Sequence, residues 1–176
     1  MTAPSAGATR ASLQAWVRTG GSWHRLGDPV PAWLGYAGLT SHAREGYSGT
    51  PIGSFGLTHA FGNAADPGTR LPYRQVGPDD WWVGDTASRY YNTHQNCPAA
   101  SCPFDTAASE NLHQAGWVYG YAVVIDYNSA PVVAGRGSAF FLHVTENHPT
   151  RAACRSPRPH WCRSCAGSIR PGSRGS

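Results

Sequence analysis

The sequence contains no lysine and only one methionine, and its charged side chains are scarce. Charged residues make up 14% of the 176 positions, against about 25% in an average protein. A disordered chain combines high net charge with few aromatic residues, whereas this chain has 7 tryptophans, 8 tyrosines and 5 phenylalanines. The body of the chain is therefore predicted to fold.

Long apolar segments are also absent. No stretch of about 18 apolar residues occurs, so we expect no membrane-spanning helix, and residues 1–10 lack the apolar segment of a signal peptide. The length is typical of one domain. The 21 glycines and 14 prolines interrupt the chain too often for a helical bundle and favour short strands joined by turns.

The positive charge is confined to the C-terminal end. The net charge is +4, but residues 1–150 contain 8 arginines and 10 acidic residues, a net of −2. The other six arginines fall in residues 151–176, which contain no acid. A nucleic-acid-binding domain carries its basic residues on the folded surface, so we expect no nucleic-acid partner. Residues 155–176 are predicted to be a disordered basic tail, or alternatively the frame-shifted end of a gene rich in G and C.

Alternation of apolar and polar residues predicts a hairpin from residues 13–17 and 22–26, joined by a Gly-Gly turn. Short apolar runs at 81–83, 119–127 and 138–145 predict further strands. One helix is predicted, with Asp105 as its N-cap and its end near Gln114, because Gly116 follows. The expected fold class is therefore mainly β with one short helix.

The cysteines allow more than one interpretation. Cys97 and Cys102 are spaced closely enough to form a small disulfide, which would indicate an oxidising compartment; the alternative is two free thiols. A Cys-x-x-Cys sequence at 162–165 matches part of a zinc module, with His148 and Cys154 as further ligands. The spacing between these ligands fits no compact zinc module, so we predict no metal there.

A histidine and a cysteine form the constellation best suited to chemistry. His143 ends a predicted strand, and Cys154 follows eleven residues later, with His148 as an alternative base. A thiol with a pKa near ~8.5 is mostly protonated at neutral pH, and a nearby imidazole can accept its proton. Acyl transfer also needs backbone N–H donors for the oxyanion, which the turn at Thr150 and Ala153 would supply. The alternative is a structural histidine beside an unreactive cysteine.

Four segments, taken in order, resemble the L,D-transpeptidase catalytic domain, often called YkuD-like. Residues 50–55 (TPIGSF) resemble its T-P-x-G-x-F segment, and residues 121–128 (YAVVIDYN) resemble its central strand. Residues 137–144 (GSAFFLHV) are similar to the strand that carries the catalytic histidine, and residues 149–154 to the P-T-x-G-C turn. The likeness runs from about residue 13 to 150 and suggests an actinobacterial-type member truncated at both ends.

The resemblance implies a β-sandwich or barrel domain over residues 13–154, after a flexible N-terminus at 1–12. It implies a catalytic Cys154, a base at His143 and no metal or nucleotide. The substrate would be a peptidoglycan stem peptide: the cysteine attacks the carbonyl of the third residue, releases the terminal D-alanine, and passes the acyl group to an amine of another stem. This 3→3 cross-linking implies an extracytoplasmic location, and we expect a monomer.

The sequence departs from the family pattern around the cysteine. The family has glycine directly before the cysteine, where this chain has Ala153, and Thr150 stands four residues before the cysteine rather than three. Two prolines, Pro157 and Pro159, follow where the family continues with regular structure. The alternative function is therefore a catalytically inactive β domain that binds the cell envelope, and a frame-shift would account for the departure.

Overall fold

The computed structural model describes residues 1–144 and 153–156. Strands account for 37% of the structure and helix for 5%, and none of the described helices reaches seven residues. These fractions confirm the predicted fold class, mainly β. Residues 145–152 and 157–176 lie outside the described residues, and with them most of the tail predicted at 155–176. The first two residues of that predicted tail, Arg155 and Ser156, belong to a strand instead.

Twelve strands and two short 3-10 helices make up the described architecture. The strands are β1 (Arg10–Thr19), β2 (Ser22–Trp33), β3 (Leu39–Thr40), β4 (Thr50–Pro51), β5 (Leu57–Gly62), β6 (Tyr73–Gln75), β7 (Asp80–Trp82), β8 (His94–Asn96), β9 (Glu110–Asn111), β10 (Ala122–Ile125), β11 (Phe141–Val144) and β12 (Ala153–Ser156). The 3-10 helices span Ala99–Ser101 and Gly116–Tyr119. Seven strands form one mixed sheet in the order β1-β2-β12-β11-β10-β5-β6. A parallel pair, β3-β4, and a three-stranded sheet, β8-β7-β9, complete the fold.

The predicted N-terminal hairpin is present as β1 and β2. Gly20 and Gly21 form its turn with φ values of 59° and 84°, a conformation that glycine adopts without strain and that matches the twist of the strands. Strand β1 begins at Arg10, inside the segment predicted to be flexible, and Thr2 forms a β-bridge with Ser12.

An aromatic cluster forms the main core on one face of the large sheet. The ring of Phe141 contacts those of Phe61, Trp82 and Tyr119 edge to face, with centroids 4.9–5.6 Å apart. All four side chains are buried. The two buried strands that the sequence predicts contain β10 and β11, and these strands position the candidate histidine beside this cluster.

The helix predicted from Asp105 to about Gln114 is wrong. The Asp105 carboxylate accepts a hydrogen bond from the Ala107 N–H at 2.8 Å, and the Ser109 hydroxyl donates to the Asp105 carbonyl at 2.7 Å. Such side-chain bonds offer the backbone a turn in place of a helix. Strand β9 then pairs with β7, so tertiary pairing takes over the second half of the predicted helix.

Candidate functional site

His143 lies on β11, near the centre of the large sheet. Its side chain is only 1% exposed, and its ring meets the Tyr119 ring edge to face with centroids 5.0 Å apart. The Nδ1 atom lies 2.8 Å from the carbonyl oxygen of Val144. Because alternate residues of a strand share a face, His143 lies on the same side of the sheet as Phe141 and the aromatic cluster.

The contact with Val144 determines which nitrogen of His143 can act as a base. A carbonyl oxygen only accepts hydrogen bonds, so Nδ1 carries the hydrogen and donates it. The neutral ring therefore has its lone pair on Nε2. A histidine held at one ring nitrogen by an acceptor is the arrangement that orients a general base toward a nucleophile.

Strand β12 brings the backbone of Cys154 next to the strand of His143. The two strands pair in parallel, with Leu142 in register with Cys154 and His143 in register with Arg155. Positions one step apart on paired strands belong to opposite faces of a sheet. The structure thus places the two proposed catalytic residues on neighbouring strands, but not at the same register position.

The other predicted site residues have different outcomes. Ala153 lies on β12 in register with Phe141, whereas Thr150 and His148 lie outside the described residues. Cys97 and Cys102 form the disulfide that the sequence favours. The loop between them contains the 3-10 helix Ala99–Ser101.

An apolar cleft of about 340 Å³ opens on the Leu142 side of the sheet. Side chains from β1, β10 and β11 line it together with residues 50–55, the segment that carries the family resemblance. Its main apolar walls are Leu13, Leu34, Leu39, Pro51, Ile52, Phe55, Leu57, Ile125 and Leu142. Since Leu142 is also the register partner of Cys154, this cleft lies next to the backbone of the proposed nucleophile.

The contacts of residues 50–55 explain why threonine, glycine and phenylalanine stand at three positions of this segment. The buried Thr50 hydroxyl accepts a hydrogen bond from the Gly35 N–H at 2.8 Å. A Cβ at Gly53 would lie 2.5 Å from the Phe55 ring, so only glycine leaves space for that ring. Phe55 in turn packs edge to face on Tyr127, with centroids 5.7 Å apart. The segment is therefore a rigid wall of the cleft.

Asn92 organises the approach to β11 and was missed by the sequence reasoning. Its Oδ1 accepts hydrogen bonds from the Trp82 indole at 2.9 Å and from the Ala139 N–H at 3.3 Å. Its Nδ2 donates to the carbonyls of Tyr127 and Asn128 at 3.1 and 2.9 Å. The sequence offers one weak signal of this role, namely that asparagine tolerates the left-handed backbone conformation. Asn92 adopts that conformation, with φ of 56°.

A buried carboxylate joins β7 to its neighbours. Asp80 accepts hydrogen bonds from Arg74 at 2.8 Å, from His94 at 2.7 Å and from the Gly77 N–H at 2.7 Å. Burial alone would raise the pKa of Asp80, but these donors together lower it. Burial lowers the pKa of His94, although the hydrogen bond to Asp80 and its negative charge act to raise it. Burial and the charge of the nearby His94 together lower the pKa of His59. Both shifts favour the neutral imidazole.

The described part of the chain offers no group of three or more histidine, cysteine, aspartate or glutamate side chains that could hold a metal ion. Within the same residues, no helix is long and apolar enough to cross a membrane. Comparison with protein-family models, with curated proteins and with solved structures found no match to this chain.

Proposed function

We propose that this chain is a cysteine acyltransferase of the L,D-transpeptidase type, acting on peptidoglycan stem peptides outside the cytoplasmic membrane. The observation that carries the proposal is the meeting of three sequence features at one strand. Strand β11 carries His143, pairs with β12, which carries Cys154, and contributes Leu142 to the cleft walled by residues 50–55. The disulfide agrees with an extracytoplasmic location.

The chemistry assigns one role to each group. The Nε2 atom of His143 accepts the proton of the Cys154 thiol, and the thiolate attacks the carbonyl of the third stem residue. The tetrahedral intermediate collapses to a thioester and expels D-alanine, whose amine takes the proton from His143. The amine of a second stem then attacks the thioester and releases the cysteine. The Val144 carbonyl supports both proton transfers by holding Nδ1.

The reaction requires Cys154 to share a register position with His143, whereas the described register pairs it with Leu142, on the side of the sheet where the cleft lies. A shift of β12 by one residue would bring position 154 level with His143, on the face of the aromatic cluster. Register is strongly specified where a strand alternates apolar and polar residues, and weakly specified where it does not. Strand β12 has the sequence Ala-Cys-Arg-Ser, which lacks such alternation. The sequence of β12 therefore does little to fix its register against β11.

A second candidate function is a non-catalytic domain that binds the cell envelope. The observation that favours it is the register itself, which pairs Cys154 with Leu142 rather than with His143. The position of Ala153 favours it as well, because Ala153 lies in strand β12 and not in the turn that the family's glycine forms. In this case the cleft would bind a ligand without covalent chemistry.

Acylation by a carbapenem separates the two functions. A thiolate opens the β-lactam ring without expelling a fragment, so an active protein gains the whole mass of the drug. We expect intact-mass spectrometry to find one adduct on the full chain and none on Cys154→Ser. His143→Gln should slow adduct formation by about two to four orders of magnitude, the usual contribution of a general base.

Two tail cysteines supply the matched controls. Cys162→Ser and Cys165→Ser each remove a thiol from the same basic segment, and both variants should acylate at the rate of the parent protein. An unmodified parent protein would favour the non-catalytic domain. An adduct that persists in Cys154→Ser would show that another residue is the nucleophile.

A further inference from the structure

The β1–β2 hairpin has an exposed face of tryptophan and arginine that the proposed reaction does not use. In its antiparallel register Trp16 lies opposite Arg25, and Arg18 lies opposite Trp23. These four positions share one face because side chains alternate along each strand. Trp16 is 49% exposed and Trp23 is 63% exposed. We call residues 16–25 the Trp/Arg arm.

The arm extends away from the body of the protein. Strand β2 is exposed at every residue from Ser22 to Pro29, so both faces of this part of the hairpin meet solvent. Within the described residues, β2 has a single register pair with β12, at Trp33, far from the turn. Two exposed indoles on a protruding hairpin contribute little to the core, and they form a surface that a partner could contact.

The charge of the arm has one sign. Residues 16–25 contain two arginines and no acidic residue. The guanidinium of Arg25 lies over the Trp16 ring, 5.5 Å from its centroid, which is cation–π geometry. Arginine pairs with carboxylates through two parallel hydrogen bonds, and an indole offers a flat apolar face with a polar edge. The arm therefore suits a polymer that combines rings with an apolar face and carboxylates.

We propose that the Trp/Arg arm binds the glycan strands of peptidoglycan. Sugar rings stack on Trp16 and Trp23, and carboxylates of the polymer pair with Arg18 and Arg25. That the polymer is peptidoglycan rests on the proposed function. That the ligand carries both rings and negative charges rests on the residues of the arm alone.

Two other classes of partner fit the arm less well. A nucleic acid offers rings and anions, but the disulfide between Cys97 and Cys102 indicates an oxidising compartment outside the cytosol. A lipid surface would need an apolar end to enter it, and the end of the arm is Thr-Gly-Gly-Ser. Residues 151–176 carry the same positive charge as the arm, so electrostatic repulsion disfavours them as its occupant.

Cosedimentation of the full chain with purified peptidoglycan sacculi tests the proposal. The sacculi are stripped of phosphate-containing polymers, so that carboxylates are their main anions. We expect the parent protein to bind, and the double variants Trp16→Ala/Trp23→Ala and Arg18→Gln/Arg25→Gln each to bind roughly tenfold more weakly. The binding of the arginine variant should also depend less on salt than that of the parent, because two positive charges are removed.

Matched controls distinguish the arm from general surface effects. Trp117→Ala removes another exposed tryptophan, 44% exposed, and Arg44→Gln removes another arginine that lies over an aromatic ring. Both controls should bind sacculi like the parent protein. The arm residues are exposed, so all variants should keep the parent melting temperature within the effect of ordinary surface substitutions.

Several outcomes would overturn the proposal. These are a parent protein that does not bind, arm variants that bind normally, controls that lose binding equally, or binding only to walls that retain phosphate polymers. Sedimentation of the parent without sacculi would assign the arm to self-association instead. Carbapenem acylation, measured on the same proteins, keeps the two proposals apart: arm variants should acylate normally, and Cys154→Ser should still bind sacculi.

Discussion

Replacing Phe141 by alanine should destabilise the protein more than any surface substitution, because this ring is the centre of the aromatic core. Phe141 is fully buried and contacts Phe61, Trp82 and Tyr119 edge to face. A buried Phe→Ala substitution costs about 3–5 kcal/mol, from lost transfer free energy and from the cavity it leaves. Each aromatic pair adds about 0.5–1.5 kcal/mol, so we expect the upper half of that range.

Phe141→Leu separates the two contributions. Leucine keeps most of the apolar volume but none of the ring pairs, so its cost should be about 1–3 kcal/mol. For a chain of this size, 1 kcal/mol lowers the melting temperature by about 2–4 °C. The alanine variant should therefore melt roughly 12 °C lower than the parent, and the leucine variant roughly 5 °C lower. Urea unfolding followed by tryptophan fluorescence and by circular dichroism measures both free energies.

Leu57 provides the control, since it is 47% exposed on β5. Leu57→Ala should change the free energy of unfolding by less than about 1 kcal/mol. If Phe141→Ala lowers the free energy of unfolding no more than Leu57→Ala, the aromatic cluster is not the core that stabilises the fold. If Phe141→Ala and Phe141→Leu lower it equally, neither the cavity nor the lost side-chain volume contributes.

Three further predictions concern the disulfide, Asn92 and two histidines. Replacing both cysteines of the disulfide by serine should cost about 2 kcal/mol, the value expected for a loop this short; calorimetry of the parent protein in reductant should give the same shift. Asn92→Ala should cost about 3 kcal/mol in urea unfolding, because it leaves the Trp82 N–H and two carbonyls without their partner; a cost below about 1 kcal/mol would contradict this. The lowered pKa values of His59 and His94 mean that, as the pH falls, the unfolded chain takes up these two protons before the folded chain does. The free energy of unfolding should therefore fall as the pH drops from 7 toward 5, and the fall should be smaller in His59→Gln and His94→Gln.

Local chemistry made some elements predictable from the sequence. Two adjacent glycines between alternating segments specify the turn of the β1–β2 hairpin, since both adopt positive φ there. The apolar run containing Ala122–Ile125 is buried on both faces of the sheet, as a central strand requires. These predictions depend on residues close together in the chain, where propensity and pattern act directly.

Other elements depend on residues far apart and could not be predicted. Strand β9 lies where Asp105 predicted a helix, and it forms because β7, about thirty residues earlier, accepts it as a neighbour. The parallel pairing of β11 with β12, and its register, has no signal in either strand alone. Asn92 acts through four partners on three segments, and no local pattern indicates such a network.

The two halves of the candidate site are held by forces of different strength. His143 is fixed by the core: its ring packs on Tyr119, Tyr119 packs on Phe141, and the Val144 carbonyl holds Nδ1. Cys154 depends on the parallel pairing of β12 with β11 and on one register pair between β12 and β2, in a strand without apolar alternation. A substitution in the core should therefore change acylation by moving the base, whereas a substitution that pins β12 should change it by moving the nucleophile. Since β12 is the less constrained partner, its register is the feature that separates the two proposed functions.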